Sequence, residues 1–463
     1  MRKTFLIITC ILASISFSAQ TIERFKDGDR IVFLGNSITD GGRYHSYIWL
    51  YYMTRFPNLR IQIFNSGISA DNVLKMQKRF ETDVIPYKPT YLFLTFGMND
   101  SGYEEYNKPG AEAFGEHKYE ETVRNFGPME TKIKNLNNTK VAIISPTPYE
   151  EIADLTQSPL EKAHKGKTDV MLRITDFQQK KSEENNWGFV DLIHPMLAIN
   201  QKGQKANPAF TISGEDRVHP YNMGHMIMAY YILKAQNLSG EKVAYINIDA
   251  KKNKTLIAEN CKISNIRNNG NKLSFNYLAN SLPYPIDTVH IWGSASQYEA
   301  LEHIPFMEEM NDERLIIQGL SDGKYQLAID GEIITETSSQ ELSKGINLAE
   351  HTNTPQYQQA MAVMYLNEER WEIERRIRQY KGLQYRYLEG KGLLFEDSRK
   401  TLDQLQSELD THYMLPHLYP NYTKARFEEI RKTWDMMQQL LIDRIYSINK
   451  PIERTITISK VEL

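Results

Sequence analysis

The sequence predicts an α/β protein: a three-layer α/β/α sandwich on a five-stranded parallel sheet, followed by a C-terminal β module and a long helical hairpin. Three observations lead there. Five short apolar runs recur between Asp29 and Asn237, separated by stretches of helical periodicity. Those runs are nearly continuous rather than alternating, as parallel strands covered on both faces must be. From about Glu241 the texture turns to β-branched and aromatic segments between Asn-Gly and Asp-Gly turns, and after Pro355 to long helices.

The five runs are Ile31–Leu34, Ile61–Phe64, Tyr91–Phe96, Val141–Ile144 and Phe189–Ile193. Between the second and third, Val73, Met76 and Phe80 recur at helical spacing. Tyr119, Val123 and Phe126 form a similar stripe that resumes at Ile133 and Leu136 after a kink or restart at Gly127-Pro128. Strands alternating with helices imply right-handed crossovers and helices on both faces of one sheet. Beyond residue 238, Val243 to Ile248, Lys272 to Tyr277 and Tyr325 to Ile334 read as strands of a small antiparallel module spanning 239–350. Tyr357, Met361, Met364 and Trp371 share a helical face that opens the hairpin at 351–448, whose second helix runs from about Lys424 to Tyr446. Pro416 and Pro420 punctuate the turn between them. The alternating segment Arg454 to Val461, within 449–463, is expected to return to the β module.

Arg2 and Lys3 precede an apolar run, Phe5 to Phe17, that ends in small residues, so residues 1–19 read as a secretion signal too short to span a bilayer. Its removal takes Cys10 and leaves Cys261 as the one thiol, so no intramolecular disulfide can brace the mature chain. It also leaves 53 basic against 58 acidic residues. That balance gives no field for a phosphate backbone, and nucleic acid is not an expected partner. No later run is long enough to cross a membrane and no amphipathic anchor is evident, so stable membrane association is not expected either. The mature protein is expected in the periplasm or outside the cell.

The chemistry lies where an open parallel sheet puts it, beyond the carboxyl ends of the strands. The first three runs end in polar turns: Gly35-Asn36-Ser37-Ile38-Thr39, Asn65-Ser66-Gly67 and Gly97-Met98-Asn99-Asp100. Later, Asp216-Arg217-Val218-His219-Pro220 places a carboxylate one tight turn from an imidazole, just ahead of a closing helix. A serine hydroxyl needs a base to become nucleophilic. A histidine held by a carboxylate supplies one, and N–H donors are needed for the oxyanion that follows.

On these blocks the sequence resembles the SGNH hydrolases, also called GDSL-like esterases and lipases, over about residues 29 to 237. The matching positions are Ser37 in G-N-S-I-T, Gly67 in N-S-G, Asn99 in G-M-N-D, and Asp216 with His219 in D-x-x-H. The resemblance implies an SGNH/flavodoxin-like hydrolase domain over 20–238. It assigns Ser37 as nucleophile, His219 as base and Asp216 as its orienting acid, with Ser37 N–H, Gly67 N–H and the Asn99 side chain as the oxyanion hole. It implies no cofactor and no metal. Two departures stand out: Asn36 occupies the position where the family usually has Asp, and Ala70 stands where a second glycine is common.

Other patterns read as structural. Gly166-Lys167-Thr168 lacks the upstream glycine of a phosphate loop. His219 and His225 have no third ligand at metal spacing. Asp191 and His194 end the fifth run as a polar cap, and Asp40 and Asp100 are as readily turn residues as catalytic ones. The resemblance implies an exported serine esterase acting on short acyl, chiefly O-acetyl, esters of carbohydrates, with an acylated glycan as partner. A lipase or thioesterase with the same triad, and an inactive glycan-binding protein, are the alternatives. Substrate sugar, oligomeric state and the role of the C-terminal half are not readable from the sequence.

Overall fold

All five apolar runs become parallel strands: β1 (Arg30–Gly35), β2 (Gln62–Gly67), β3 (Tyr91–Thr95), β4 (Lys140–Ile144) and β5 (Gly188–Val190), in the order β2-β1-β3-β4-β5. The structure is a computed structural model that describes residues 22–156, 163–289 and 295–461. The segment read as a secretion signal, Cys10 included, lies outside the described residues. Within them, no helix is long and apolar enough to cross a membrane.

Continuous apolarity has its expected cause. Ile31 and Phe33 of β1 face one core while Val32 and Leu34 face another, and Phe93 against Leu92 and Leu94 repeat this in β3. Helices α1 (Ser37–Asp40) and α2 (Tyr44–Arg55) follow β1, and α3 (Val73–Asp83), α4 (Ala111–Lys134), α5 (Lys167–Asn185), α6 (Ile193–Gln204) and α7 (Asn222–Ala235) complete the layers. The first core is closed by α2, α6 and α7 and the second by α3, α4 and α5. Of the kink or restart expected at Gly127-Pro128, the restart does not occur, since α4 runs as one helix with Pro128 inside it. Phe126, Met129 and Ile133 anchor it to the sheet on both sides of the proline, and that burial outweighs the lost backbone hydrogen bond.

The C-terminal half begins as a sandwich of two sheets. Its strands are β6 (Ala244–Asp249), β7 (Lys254–Glu259), β8 (Cys261–Asn268), β9 (Lys272–Ala279), β10 (Glu313–Gln318), β11 (Lys324–Ile329), β12 (Glu332–Ser338), β13 (Ile346–Asn347) and β14 (Arg454–Lys460), with short helices α8 (Phe306–Met310) and α9 (Ser339–Lys344) between strands. One sheet has the order β13-β10-β6-β7 and the other β12-β11-β14-β9-β8. The module is larger than the sequence suggested and not wholly antiparallel, because β6 and β10 pair in parallel. Strands β7 and β8 escape sequence detection because most of their residues face solvent and carry no apolar alternation. Since β14 lies between β9 and β11, the helices α10 (Pro355–Leu383), α11 (Arg399–Ser407), α12 (Leu415–Ala425) and α13 (Glu428–Ile448) form an insertion within the sandwich.

That insertion covers the open edge of β2. An unpaired strand edge exposes N–H and C=O groups that must find partners. Here Glu374 accepts from the Asn65 N–H (3.1 Å) and the Tyr446 hydroxyl accepts from the Ile61 N–H (3.3 Å). The Arg378 guanidinium donates to the Gly67 carbonyl from Nη2 (2.7 Å) and Nε (3.1 Å). Arg378 also chelates the Asp83 carboxylate (2.9 and 2.8 Å), which Arg79 contacts at 2.7 Å while donating to the Asp71 carboxylate (2.7 Å) and the Gly35 carbonyl (3.1 Å). All four side chains of this chain of charges are buried. Burial alone would push the Asp83 carboxyl up, but the two guanidiniums outweigh it and hold it below the usual carboxylate range.

Two stability predictions follow from these buried charges. Asp83→Asn leaves two guanidiniums without their shared counter-charge, and urea denaturation followed by circular dichroism is expected to show a loss of about 3 kcal/mol or more. Glu313, buried at the start of β10, accepts from Tyr277 (2.8 Å) and Gln356 (3.0 Å), while its Oε2 has no partner among the described residues. Burial raises its pKa to about 7. A raised folded-state pKa gives stability that is full below the ordinary value near 4.5 and is lost as pH rises through 7. Relative to Glu313→Gln, the wild-type protein should therefore lose about 2–3 kcal/mol between pH 5 and pH 8.

Candidate active site

The turn after β1 sets the geometry. Asn36 caps α1 by accepting from the Ile38 N–H (3.0 Å), so the residue that replaces the family's Asp performs a capping role open to either side chain. The cap leaves Ser37 in the first turn, with a backbone N–H that has no partner among the described residues. Its hydroxyl lies 2.7 Å from His219 Nε2.

His219 is aimed by its own turn. Its Nδ1 lies 2.5 Å from Asp216 Oδ2, while Asp216 Oδ1 accepts from the backbone N–H groups of Val218 (3.0 Å) and His219 (2.9 Å). Burial would raise the Asp216 carboxyl, but the hydrogen bonds and charge of His219 outweigh it and leave it lowered. A carboxylate on Nδ1 fixes the tautomer, so Nε2 is the acceptor that faces the serine. Between them, Arg217 adopts a left-handed φ of 66° and sends its guanidinium to the carbonyls of Glu150 (3.1 Å) and Ala153 (3.3 Å), clamping the turn to the loop after β4. The pair stays open to solvent, the His219 side chain being 43% exposed.

The oxyanion side differs from expectation at one residue. Gly67 N–H already donates to Asn65 Oδ1 (2.8 Å), and its carbonyl is held by Arg378. That glycine is needed for close approach instead: a Cβ there would lie 2.2 Å from the Asp40 N atom. The free donor on this turn is Ala70 N–H, which has no partner among the described residues and sits in the left-handed conformation (φ 64°). Its turn is tied down on both sides. Asp40 Oδ2 accepts from Ser69 N–H (3.0 Å) and Oγ–H (2.7 Å), and the Asp71 carbonyl accepts from Asn99 Nδ2 (2.8 Å). Asn99 thus faces the same turn, its Oδ1 accepting from the Tyr103 hydroxyl (2.8 Å), with a second amide hydrogen to spare.

Residues that the sequence left open now have roles. Asp100 is buried and accepts from Val73 N–H and Gly97 N–H (both 2.8 Å), locking the third turn. Lys167, which resembled part of a failed phosphate loop, buries its ammonium against that turn. It donates to the carbonyls of Met98 and Gly102 and to Ser101 Oγ, each at 2.6 Å, and burial lowers its pKa well below the ordinary range. Asp191 and His194 pair at 2.8 Å on the exposed start of α6, a second D-x-x-H of the same local form that makes no hydrogen bond to Ser37 among the described residues. His225 is buried against Tyr44, and burial lowers its pKa to about 3. Among the described residues no group of three or more His, Cys, Asp or Glu could hold a metal ion. Arg378 escaped sequence reasoning because it comes from 311 residues beyond the glycine it holds.

Comparison with known proteins bears on both halves of the chain. Residues 33–227 match the GDSL-like Lipase/Acylhydrolase family, and residues 361–450 match the diltiazem deacetylase C-terminal helical domain. The acetylxylan esterase of Geobacillus stearothermophilus is 30% identical over 226 residues, which is 45% of this chain and 93% of that protein. A solved gut microbial diltiazem-metabolizing enzyme is 47% identical, covers 96% of this chain and 100% of its own, and superposes with a TM-score of 0.92. With the four sequence blocks gathered at one sheet edge and these likenesses alongside, the chain belongs to the GDSL-like lipase/acylhydrolase family and is an ester hydrolase.

Proposed function

We propose that the protein is an exported O-acetyl esterase in which Ser37 attacks the ester carbonyl, His219 takes its proton and Asp216 stabilises the imidazolium. The observation that carries this reading is the relay from Ser37 Oγ to His219 Nε2 at 2.7 Å and from Nδ1 to Asp216 at 2.5 Å. His219 then returns the proton to the leaving alcohol, and an acetyl-enzyme remains. Water activated by the same imidazole releases acetate.

The oxyanion receives donors from Ser37 N–H, the Asn99 side chain and Ala70 N–H, the last in place of Gly67. A single preorganised donor of this type is worth about 3–4 kcal/mol of transition-state stabilisation. The acetyl preference draws support from the relatives, one named an acetylxylan esterase and the helical-domain family named for a diltiazem deacetylase. For the alcohol we infer a carbohydrate. Deacetylation of an acetylated drug such as diltiazem is the second reading, favoured by the full-length likeness to a diltiazem-metabolizing enzyme. Export rests on residues 1–19, whose charge and apolar pattern is that of a cleaved signal.

Ser37→Ala is expected to lower kcat at least about a thousandfold with an unchanged circular dichroism spectrum; a modest loss would remove Ser37 from the nucleophile role. Asp216→Asn reverses the hydrogen-bond demand at Nδ1 and should also cost about a thousandfold or more in kcat, read as p-nitrophenyl acetate turnover. Across p-nitrophenyl esters, kcat/KM should fall steeply beyond acetate. Activity that rises with chain length would mark a lipase instead.

A further inference from the structure

The helical insertion does more than cover the edge of β2. Immediately after α10 the chain continues as a π-helical turn, Gln384–Leu388, a conformation that recurs at functional sites. This turn faces the oxyanion turn across a cavity of about 370 Å³, whose lining includes Ala70, Asp71, Lys75, Lys78, Tyr385 and Arg386. Ala70 and Asp71 belong to the turn that Asp40 and Asn99 tie down, so one wall of the cavity is the turn that carries the proposed oxyanion donor Ala70 N–H. The Arg386 charge reaches Asp40, three residues from the serine. Burial raises that carboxyl, and the charges of Arg378 and Arg386 oppose it.

The charge of this cavity is unbalanced. Arg79 and Asp71, also at its wall, neutralise each other at 2.7 Å. Among the lining residues that leaves Lys75, Lys78 and Arg386 against the carboxylate of Glu389, with Asp40 a further carboxylate that Arg386 reaches. Lys75 reaches only the Ala70 carbonyl (3.1 Å), and neither Lys78 nor Arg386 makes a hydrogen bond or ion pair among the described residues. Arg386 is half-buried, its neighbour Tyr385 being fixed by a 2.7 Å hydrogen bond to Thr82. A half-buried guanidinium with all its donors unused is prepared for a planar, twofold acceptor.

We propose that this cleft is a subsite for a carboxylate carried by the acetylated substrate, with Arg386 its main ligand and Lys75 and Lys78 its electrostatic support. The substrate class is then an O-acetylated acidic saccharide, one whose sugar units bear uronic carboxylates. The inference rests on the esterase reading for the position of the acetyl group and deepens it by naming the charge of the alcohol.

The test is binding of an O-acetylated galacturonate oligosaccharide to the full-length Ser37→Ala protein by calorimetry, beside the same oligosaccharide with its carboxyls methyl-esterified. The acidic form should bind about tenfold or more tighter at 20 mM salt, and the difference should shrink towards one at 0.5 M salt as the charges are screened. Adding Arg386→Gln should remove most of the difference, with Lys78→Gln removing less. In the serine-intact protein the same preference should appear in KM rather than kcat for acetate release. Equal binding of the two forms, or a preference that Arg386→Gln leaves intact, overturns the subsite. If Arg386→Gln fails to fold by circular dichroism, Lys78→Gln and the salt series decide by the same criteria. Loss of Ser37-dependent turnover of p-nitrophenyl acetate would overturn the esterase reading instead, and the binding measurement does not depend on it.

Discussion

One buried carboxylate, Asp83, holds the proposed oxyanion side of the site together. It lies between Arg79 and Arg378, and through them it reaches the carbonyls of Gly35 and Gly67, the last residues of β1 and β2. Apolar side chains of similar volume could fill the same space at equal or better stability, because removing three charges from water is costly. What apolar packing cannot do is point. A guanidinium donates along fixed directions, so the two arginines fix where β1 and β2 end, and the turns bearing Ser37 and Ala70 start from those ends. The stabilisation is modest in net terms while the geometric constraint is tight.

The site is accordingly asymmetric. The proposed oxyanion side is assembled from multiply bonded turns: Asp40 on Ser69, Asn99 on Asp71, Asp100 on Gly97 and Val73, and Lys167 on the turn between Met98 and Gly102. The proposed base stands on a single short turn, half exposed, held by Asp216 and the Arg217 clamp. This division suits acyl transfer. Stabilising a developing charge requires donors that do not reorganise, whereas a proton carrier must meet first an alcohol and then a water.

The fold was legible because a parallel sheet covered on both faces leaves an unmistakable run of apolar residues, and β1 to β5 all carried one. Ser37, Asp216 and His219 were legible because each partnership with the backbone is local: a serine at a strand end, and a carboxylate three residues before an imidazole. Locality also limits the method. Asp191 and His194 have the same spacing and make the same Nδ1–carboxylate contact, and only the path of the chain through space separates them from the pair beside Ser37. The family resemblance assigned Gly67 as a donor, but Asn65 Oδ1 accepts its N–H from two residues away, while Ala70, the position that looked like a departure, has an N–H without a partner among the described residues. The parallel pairing of β6 with β10 was hidden by sequence separation, and β7 and β8 by their solvated faces.

The C-terminal helices show what local reading could not reach. Arg378 and Arg386 are eight residues apart, just over two helical turns, on α10 and its π continuation. The first is buried, neutralised and spent on the backbone of β2; the second is half open and unspent, facing the loop that β2 leads into. A helix that had only to hide a strand edge would need the first residue and would gain nothing from the second, whose partial burial without a partner is unfavourable. Retaining an unpaired guanidinium at that position makes physical sense if something from solution pairs with it. On that reasoning the insertion belongs to the active site as much as to the scaffold, and the catalytic domain taken alone would lack both the clamp on its oxyanion turn and one wall of its cleft.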